Sequence, residues 1–186
     1  KLESNCTMTQ PETTTVRLKV SPQVARIVGS GAPRDAQLSA ARGALPLGGK
    51  DLLTVLFFLC NSKDMEIKKA AIRTLKELPQ SILSPLLRDE TLHPHLLELL
   101  VRARLAEAEL MGAVVVHPAV RVETLLYLAR KGGAEVLERL SGNQNMLARH
   151  PVLVDEIIAN PEADRSLKFR LGWQDPEQAP KEAAEA

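Results

Sequence analysis

The chain has few aromatic residues and little net charge, and both shortages limit what it can bind. Phe, Trp and Tyr make up 3% of the 186 residues. That is too few for a surface that stacks nucleic-acid bases on aromatic rings. The formal net charge is +1 at pH 7, so the chain lacks the strong positive field that drives non-specific binding to nucleic acids or anionic membranes. A site for either partner would have to be local.

Cysteines and long apolar runs are also scarce. Cys6 lies in a polar stretch and Cys60 in an apolar run, so we expect no disulfide and predict a reducing, cytoplasmic location. The longest apolar stretches, Leu52 to Cys60 and Leu110 to Val116, are far shorter than the ~20 residues that a membrane-spanning helix needs. We expect no secretory signal, because no basic segment followed by an apolar run opens the sequence. The sequence therefore predicts no membrane contact.

The hydrophobic content of 45% is sufficient for one core. We predict a flexible N-terminal arm over residues 1–20, a single α-helical repeat domain over 21–173 and a C-terminal tail or linker over 174–186. Met8 resembles a natural translation start, which would make residues 1–7 vector-derived. The final residues are rich in Pro, Glu and Ala and have little to bury, so we interpret the chain as the N-terminal domain of a longer protein.

Apolar residues at helical spacing, interrupted by prolines and glycines, predict many short helices. Ser21 is expected to cap a helix that ends at Gly29 or Gly31, and Asp51 to cap a second helix that runs through Leu59. The clearest helix spans Met65 to Leu78, capped by Ser62 or Asp64. The remaining predicted helices are Leu96 to Leu105, Glu107 to Val115, Val120 to Arg130, Ala134 to Leu140, Val152 to Ile158 and Asp164 to Leu171.

A polar residue followed by proline recurs before the apolar runs. The four pairs are His93-Pro94, His117-Pro118, His150-Pro151 and Asn160-Pro161. Proline at the first helical turn loses no hydrogen bond that it could have made, and it biases the preceding residue away from the helical region. Helices this short are marginal alone and become stable by stacking on their neighbours. The pattern favours a stack of short helical units with irregular spacing.

The segment from Asp64 to Leu78 resembles a bacterial HEAT-like repeat, in which an acidic residue precedes a helix of apolar, basic and alanine residues. The His-Pro and Asn-Pro units from His93 to Leu171 are similar to the leucine-rich repeat variant and related short-helix arrays. These resemblances imply an all-α fold, an irregular right-handed α-solenoid of short stacked helices. They also imply a scaffold that binds other macromolecules.

The search for catalytic, cofactor or metal chemistry finds no convincing constellation. The Gly48-Gly49-Lys50-Asp51 segment approaches a phosphate-binding loop, but it has Asp51 where such a loop needs a Ser or Thr hydroxyl, and no strand precedes it. The four histidines are too dispersed to form a predicted ligand set. Cys60 reads as an inert buried thiol. We therefore predict a protein that is not an enzyme and has no cofactor or metal.

Two polar segments remain as candidate partner-binding sites. The first is the basic side of the Met65 to Leu78 helix, formed by Lys69, Arg73 and Lys76 with Lys68 beside them. The second is the amide run Asn143, Gln144 and Asn145, which is expected to cap or bridge adjacent repeats. We predict a protein–protein interaction or scaffold module of unknown oligomeric state. The alternative is a nucleic-acid-binding domain that uses the local basic helix face.

Overall fold

The computed structural model describes residues 18–175, and every element of regular secondary structure in that range is an α-helix. The helices are α1 Pro22–Val28, α2 Arg34–Ala41, α3 Gly49–Leu59, α4 Met65–Glu77, α5 Gln80–Leu86, α6 Pro94–Ala103, α7 Ala108–Val115, α8 Val122–Lys131, α9 Ala134–Ser141, α10 Gln144–Arg149, α11 Val152–Ala159 and α12 Arg165–Arg170. The all-α prediction is confirmed. The predicted boundaries of eight helices lie within about two residues of those observed, and the ninth prediction, for α3, starts later than the observed helix.

Helix α4 shows how local sequence sets an element. The Asp64 carboxylate accepts hydrogen bonds from the backbone N–H groups of Glu66 (2.9 Å) and Ile67 (3.4 Å), which satisfies two unpaired donors of the first turn. Ile67, Ala71 and Leu75 recur on one side of the helix and are buried. The helix ends before Pro79, as predicted, because the residue before a proline is disfavoured in the helical conformation.

The prediction that Asp51 caps α3 is wrong. The helix begins two residues earlier, at Gly49, and its N-cap is Gly48. Asp51 is the third residue of the helix, and its carboxylate accepts a hydrogen bond from the Ser21 hydroxyl at 3.0 Å. Because Ser21 is itself the cap of α1, Asp51 links the starts of two helices that pack together.

Three helices, α2, α5 and α10, were not separated by the sequence pattern. In α2 only one large apolar residue, Leu38, interrupts alanines and polar residues, so the apolar spacing is faint. Helix α5 contains Pro85, a residue that normally ends a helix. Helix α10 has six residues, too few for periodicity to be distinguished from a turn.

The helices pack mainly against near neighbours in the chain. Helix α1 packs on α3, α2 on α3 and α4, α4 on α6, α6 on α7 and α8, α7 on α9, and α8 on α11. Buried apolar residues form one continuous cluster from Val24 to Leu167, and Leu18 packs against it. All the principal helix pairs that join α1–α5 to α7–α12 involve α6. Helix α6 therefore provides the main packing contact between α1–α5 and α7–α12.

Side chains from later segments donate hydrogen bonds to backbone carbonyl groups of earlier segments. The Thr74 hydroxyl donates to the Ala41 carbonyl at 2.6 Å, and Arg104 donates to the Leu78 carbonyl. His117 Nε2 bonds the Asp89 carbonyl at 3.1 Å. Asn160 Nδ2 donates to the Ala129 carbonyl at the end of α8. Because the last carbonyls of a helix have no partner within it, the bonds to Ala41, Leu78 and Ala129 complete helix ends as well as joining distant segments. Asp89 lies beyond the end of α5, so its bond to His117 joins distant segments only.

The pre-proline residues His117 and Asn160 share one arrangement. Each is 4% exposed, accepts a hydrogen bond from the backbone N–H two residues ahead, and bonds a carbonyl 28 residues behind. His93 accepts the corresponding bond from His95 N–H. His150 differs, because it is the C-cap of α10 and Pro151 is the N-cap of α11. The prediction of a proline in the first turn of a helix is therefore confirmed for His93-Pro94 and wrong for His150-Pro151. It is also wrong for the pairs at His117 and Asn160, because the helices that follow them begin only at Val122 and Arg165.

The described ends of the chain bear on the predicted boundaries. Residues 18–20 adopt no helix or strand, and Leu18 packs against the core. The rest of the predicted 1–20 arm lies outside the described residues. At the other end, Asp175 is 6% exposed and pairs with Arg165 at 3.4 Å, although it falls within the predicted tail over 174–186. Between residues 18 and 175, no helix is long and apolar enough to cross a bilayer.

Candidate functional site

The basic residues predicted on α4 share its solvent side. Lys69, Arg73 and Lys76 are all exposed, and their spacings of four and three residues place them in one stripe along the helix. The buried residues of α4 lie on the opposite side. We call this stripe, together with Glu77 at its C-terminal end, the basic face.

The three cations of the basic face form no ion pair with any carboxylate in residues 18–175. Glu66, which interleaves with them in sequence, is instead bonded by Arg34 at 2.6 Å and by Arg42 at 3.4 Å. Glu77 is exposed in the last turn of the helix. The face therefore carries three cations against one carboxylate, and its charge is directed to solvent.

Two depressions flank the basic face, and Lys69, Arg73 and Glu77 line both. The larger lies between the end of α2 and α4 and encloses about 520 Å³. Its remaining lining residues are Arg42, Ala70 and Thr74. The smaller encloses about 330 Å³ and adds Ile72 and Lys76. The basic face therefore combines unpaired positive charge with two depressions whose lining is partly apolar.

The wall of the larger depression is fixed by backbone and side-chain contacts. The Thr74 hydroxyl bonds the last carbonyl of α2, which holds α2 and α4 together at this point. Gly43 turns the chain away from α2 with φ +69°, a value that favours glycine. A Cβ there would lie 3.3 Å from Thr74 Cγ2. Arg42, one residue before this turn, is held at the rim.

A row of alternating charges runs beside the depression, from Asp64 through Arg34 and Glu66 to Arg42. Arg34 pairs with Asp64 at 2.7 Å and with Glu66 at 2.6 Å, and Arg42 reaches Glu66 at 3.4 Å. The hydrogen bond from Arg34 lowers the pKa of Asp64 below its usual value. Both carboxylates raise the pKa of Arg34 further. Arg42 is the end of this row and its most loosely held member.

Of the two roles expected for the amide run 143–145, capping or bridging, Asn143 has the capping role. Asn143 caps α10, its Oδ1 accepting from the Met146 N–H at 3.2 Å. Gln144 and Asn145 are exposed in the first turn of that helix. Gln144 lines a depression of about 400 Å³ between α10, α11 and α12. The amide run and the basic face line no common depression, and the structure does not combine them into one site.

The other polar clusters have structural roles. Lys50, the lysine of the loop-like motif, donates to Asp89 and to the Thr91 hydroxyl, both at 2.7 Å, and this contact lowers the pKa of Asp89 to about 2. Arg121 bonds both His95 (3.3 Å) and Glu98 (2.8 Å). Among residues 18–175, no three His, Cys, Asp or Glu side chains are placed to share a metal ion.

The sequence analysis did not predict that Arg42 lines the larger depression beside the basic face. It lies 27 residues before Lys69, in a helix whose pattern is faint, and only the packing of α2 on α4 brings it there. The one local signal is Gly43, which marks the end of α2 and hence the rim where Arg42 lies.

Cys60 is expected to resist modification in the folded protein. It is 9% exposed, and its burial raises the pKa of the thiol, a shift that Lys68 only partly opposes. Because the thiolate is the nucleophile, we expect alkylation at pH 8 to be at least about 100-fold slower than in denaturant. Mass spectrometry of tryptic peptides after a timed iodoacetamide pulse measures Cys60 separately from Cys6. Rapid labelling of Cys60 without denaturant would contradict the buried placement.

The comparisons with known proteins leave the function to be argued from this geometry. No family model matches the chain, and no curated protein or solved structure matches it either.

Proposed function

We propose that the chain is a non-enzymatic protein-interaction module, a HEAT-like α-solenoid scaffold whose basic face binds an acidic segment of a protein partner. The observation that carries the proposal is the stripe of Lys69, Arg73 and Lys76, three exposed cations without an ion pair among residues 18–175. Elsewhere in the described chain, Arg34, Arg130 and Arg170 are paired with carboxylates. Other exposed cations without an ion pair in residues 18–175, such as Arg26, Lys131 and Arg149, lie on separate helices. Lys69, Arg73 and Lys76 share one helix and line its two depressions.

The solenoid part of the proposal rests on the way the helices pack. Most principal pairs join helices one or two positions apart in the chain, which is typical of repeat arrays whose units contact only their neighbours. The matching hydrogen bonds of His117 and Asn160, each to a carbonyl 28 residues behind, support a common repeat geometry. In such a stack, helix faces turned away from the core are free to bind a partner.

An acidic protein segment suits the basic face better than nucleic acid. The net charge of the chain is +1 and the aromatic content 3%, so neither long-range attraction nor base stacking is supplied. Ala70 and Ile72 also line the depressions, and a peptide side chain can pack against these apolar residues.

Removing the charge of the basic face should strongly weaken binding to an acidic peptide. The probe is a fluorescent 12-residue peptide of alternating Glu and Ser, with a Gln and Ser peptide as its uncharged counterpart. We expect Lys69→Ala/Arg73→Ala/Lys76→Ala to weaken binding by roughly 30-fold, because each exposed contact contributes up to about 1 kcal/mol. Fluorescence anisotropy at low salt measures the affinity.

The matched control is Arg26→Ala/Lys131→Ala/Arg149→Ala, which removes the same charge from exposed positions on other helices. It should bind as the unmodified protein does. An equal loss in this control, or binding of the Gln peptide as tight as that of the Glu peptide, would contradict the proposal.

Nucleic-acid binding is the second candidate, and the same three cations are the observation that favours it. A duplex of mixed sequence, titrated at 50 and 200 mM salt in the same assay, separates the two functions. A duplex affinity that exceeds the peptide affinity, falls steeply with salt and is lost in the α4 triple variant would establish nucleic acid as the ligand.

A further inference from the structure

Arg42 stands out because it belongs to the row of alternating charges and also lines the larger depression beside the basic face. Its side chain is 61% exposed, and its contact to Glu66 is the longest in the row at 3.4 Å. The same side chain lines the depression together with Lys69 and Arg73. Glu66 does not depend on Arg42, since Arg34 bonds the other carboxylate oxygen at 2.6 Å. Arg42 is therefore placed between an internal carboxylate and the open depression.

The spacing of charges on α4 defines the form of an acidic ligand. With a rise of 1.5 Å per residue, Lys69 and Arg73 lie about 6 Å apart along the helix axis, and Lys69 and Lys76 about 10 Å. An extended peptide advances about 3.3 Å per residue. Carboxylates two residues apart lie on the same side of an extended segment, about 6.6 Å from one another, and therefore match the spacing of Lys69 and Arg73.

We infer that the depression between α2 and α4 binds one carboxylate of an extended acidic segment, and that Arg42 leaves Glu66 to bond it. The inference rests on the proposed function of the basic face. Arg42, Lys69 and Arg73 surround the bound carboxylate from two helices, and Arg42 supplies the planar donor pair that matches carboxylate geometry. Glu66 is an internal competitor that sets the affinity.

When Arg42 moves from Glu66 to the ligand, no charged side chain of the row loses its last partner. Glu66 keeps its bond to Arg34, and Arg34 keeps Asp64, so the row remains intact apart from its last member. The pair that is given up is exposed and long, the class of ion pair that contributes least to stability. Breaking this pair on binding therefore lowers the stability of the fold little. The guanidinium of Arg42 is already accessible to a ligand from solvent.

Two substitutions with opposite effects test the inference. Arg42→Ala should weaken binding of the Glu peptide about fivefold, because a charged donor at the depression is lost. Glu66→Gln should strengthen binding about threefold, because the competing charge is removed while Gln still accepts a hydrogen bond from Arg34. Glu135→Gln, an equal change of charge at an exposed position on α9, is the matched control and should leave the affinity unchanged. Anisotropy measures all three.

The double variant decides whether Glu66 acts through Arg42. If it does, Glu66→Gln adds no affinity in the Arg42→Ala background, and the two effects are not additive. A gain that persists in full without Arg42 would overturn the inference. So would unchanged affinity in both single variants while the unmodified protein binds the Glu peptide and the α4 triple variant does not, an outcome that leaves the proposed function standing. Failure of the unmodified protein to bind would instead remove the proposed function and the inference with it.

Discussion

Replacing Asn160 by alanine should lower the free energy of unfolding by about 3 kcal/mol, among the largest effects of any polar substitution in the chain. Asn160 is 4% exposed and makes three hydrogen bonds through its side chain. Its amide nitrogen donates to the carbonyls of Ala129 (2.8 Å) and Gly132 (3.1 Å), and its oxygen accepts from the Glu162 N–H (2.8 Å). Alanine leaves these groups without the partner, and a buried unsatisfied polar group costs about 1–3 kcal/mol.

Thermal denaturation followed by circular dichroism measures the effect. For a domain of this size, the expected loss corresponds to a fall in Tm of roughly 6–12 °C. Asn145→Ala is the matched control, because Asn145 is exposed and makes no side-chain hydrogen bond within residues 18–175; its Tm should stay within about 2 °C of the unmodified protein. If Asn160→Ala were as harmless as this control, the link between the ends of α8 and α11 would not be the stabilising contact that its geometry indicates.

Local signals in the sequence were enough to predict most helices. At α1 and α4, a capping side chain, a run of apolar residues at helical spacing and a stop signal all agree, and both helices begin and end close to the predicted residues. Where the local signals conflict, the prediction failed. Pro85 opposes α5, and Asp51 could cap a helix from its sequence but is engaged by Ser21, 30 residues away.

The candidate site was predictable only in part, for a physical reason. Lys69, Arg73 and Lys76 lie on one helix, so helical periodicity alone places them together. Arg42 joins them through the packing of α2 on α4, and the partner of Glu66 could not be read from its own helix because Arg34 comes from another. Pairing between elements depends on tertiary contacts, which a single sequence does not reveal.

Truncating Leu97 to alanine should cost about 3 kcal/mol and affect both halves of the molecule. Leu97 is fully buried in α6, and removal of buried leucine atoms costs 2–5 kcal/mol through lost burial and the remaining cavity. The principal packing between α1–α5 and α7–α12 runs through this helix. We therefore expect native-state amide exchange to become faster in α3 and α4 on one side and in α8 on the other.

Leu153→Ala is the matched control, since Leu153 is also fully buried but lies in α11. The principal partner of α11 is α8. In an array stabilised by nearest-neighbour interfaces, a defect near one end spreads only to adjoining units. Leu153→Ala should therefore speed exchange in α8 and α11 and leave α2, α3 and α4 protected. If Leu153→Ala sped exchange in α2, α3 and α4 as much as in α8 and α11, the core would unfold as one cooperative unit. That result would contradict the nearest-neighbour stability expected of a solenoid.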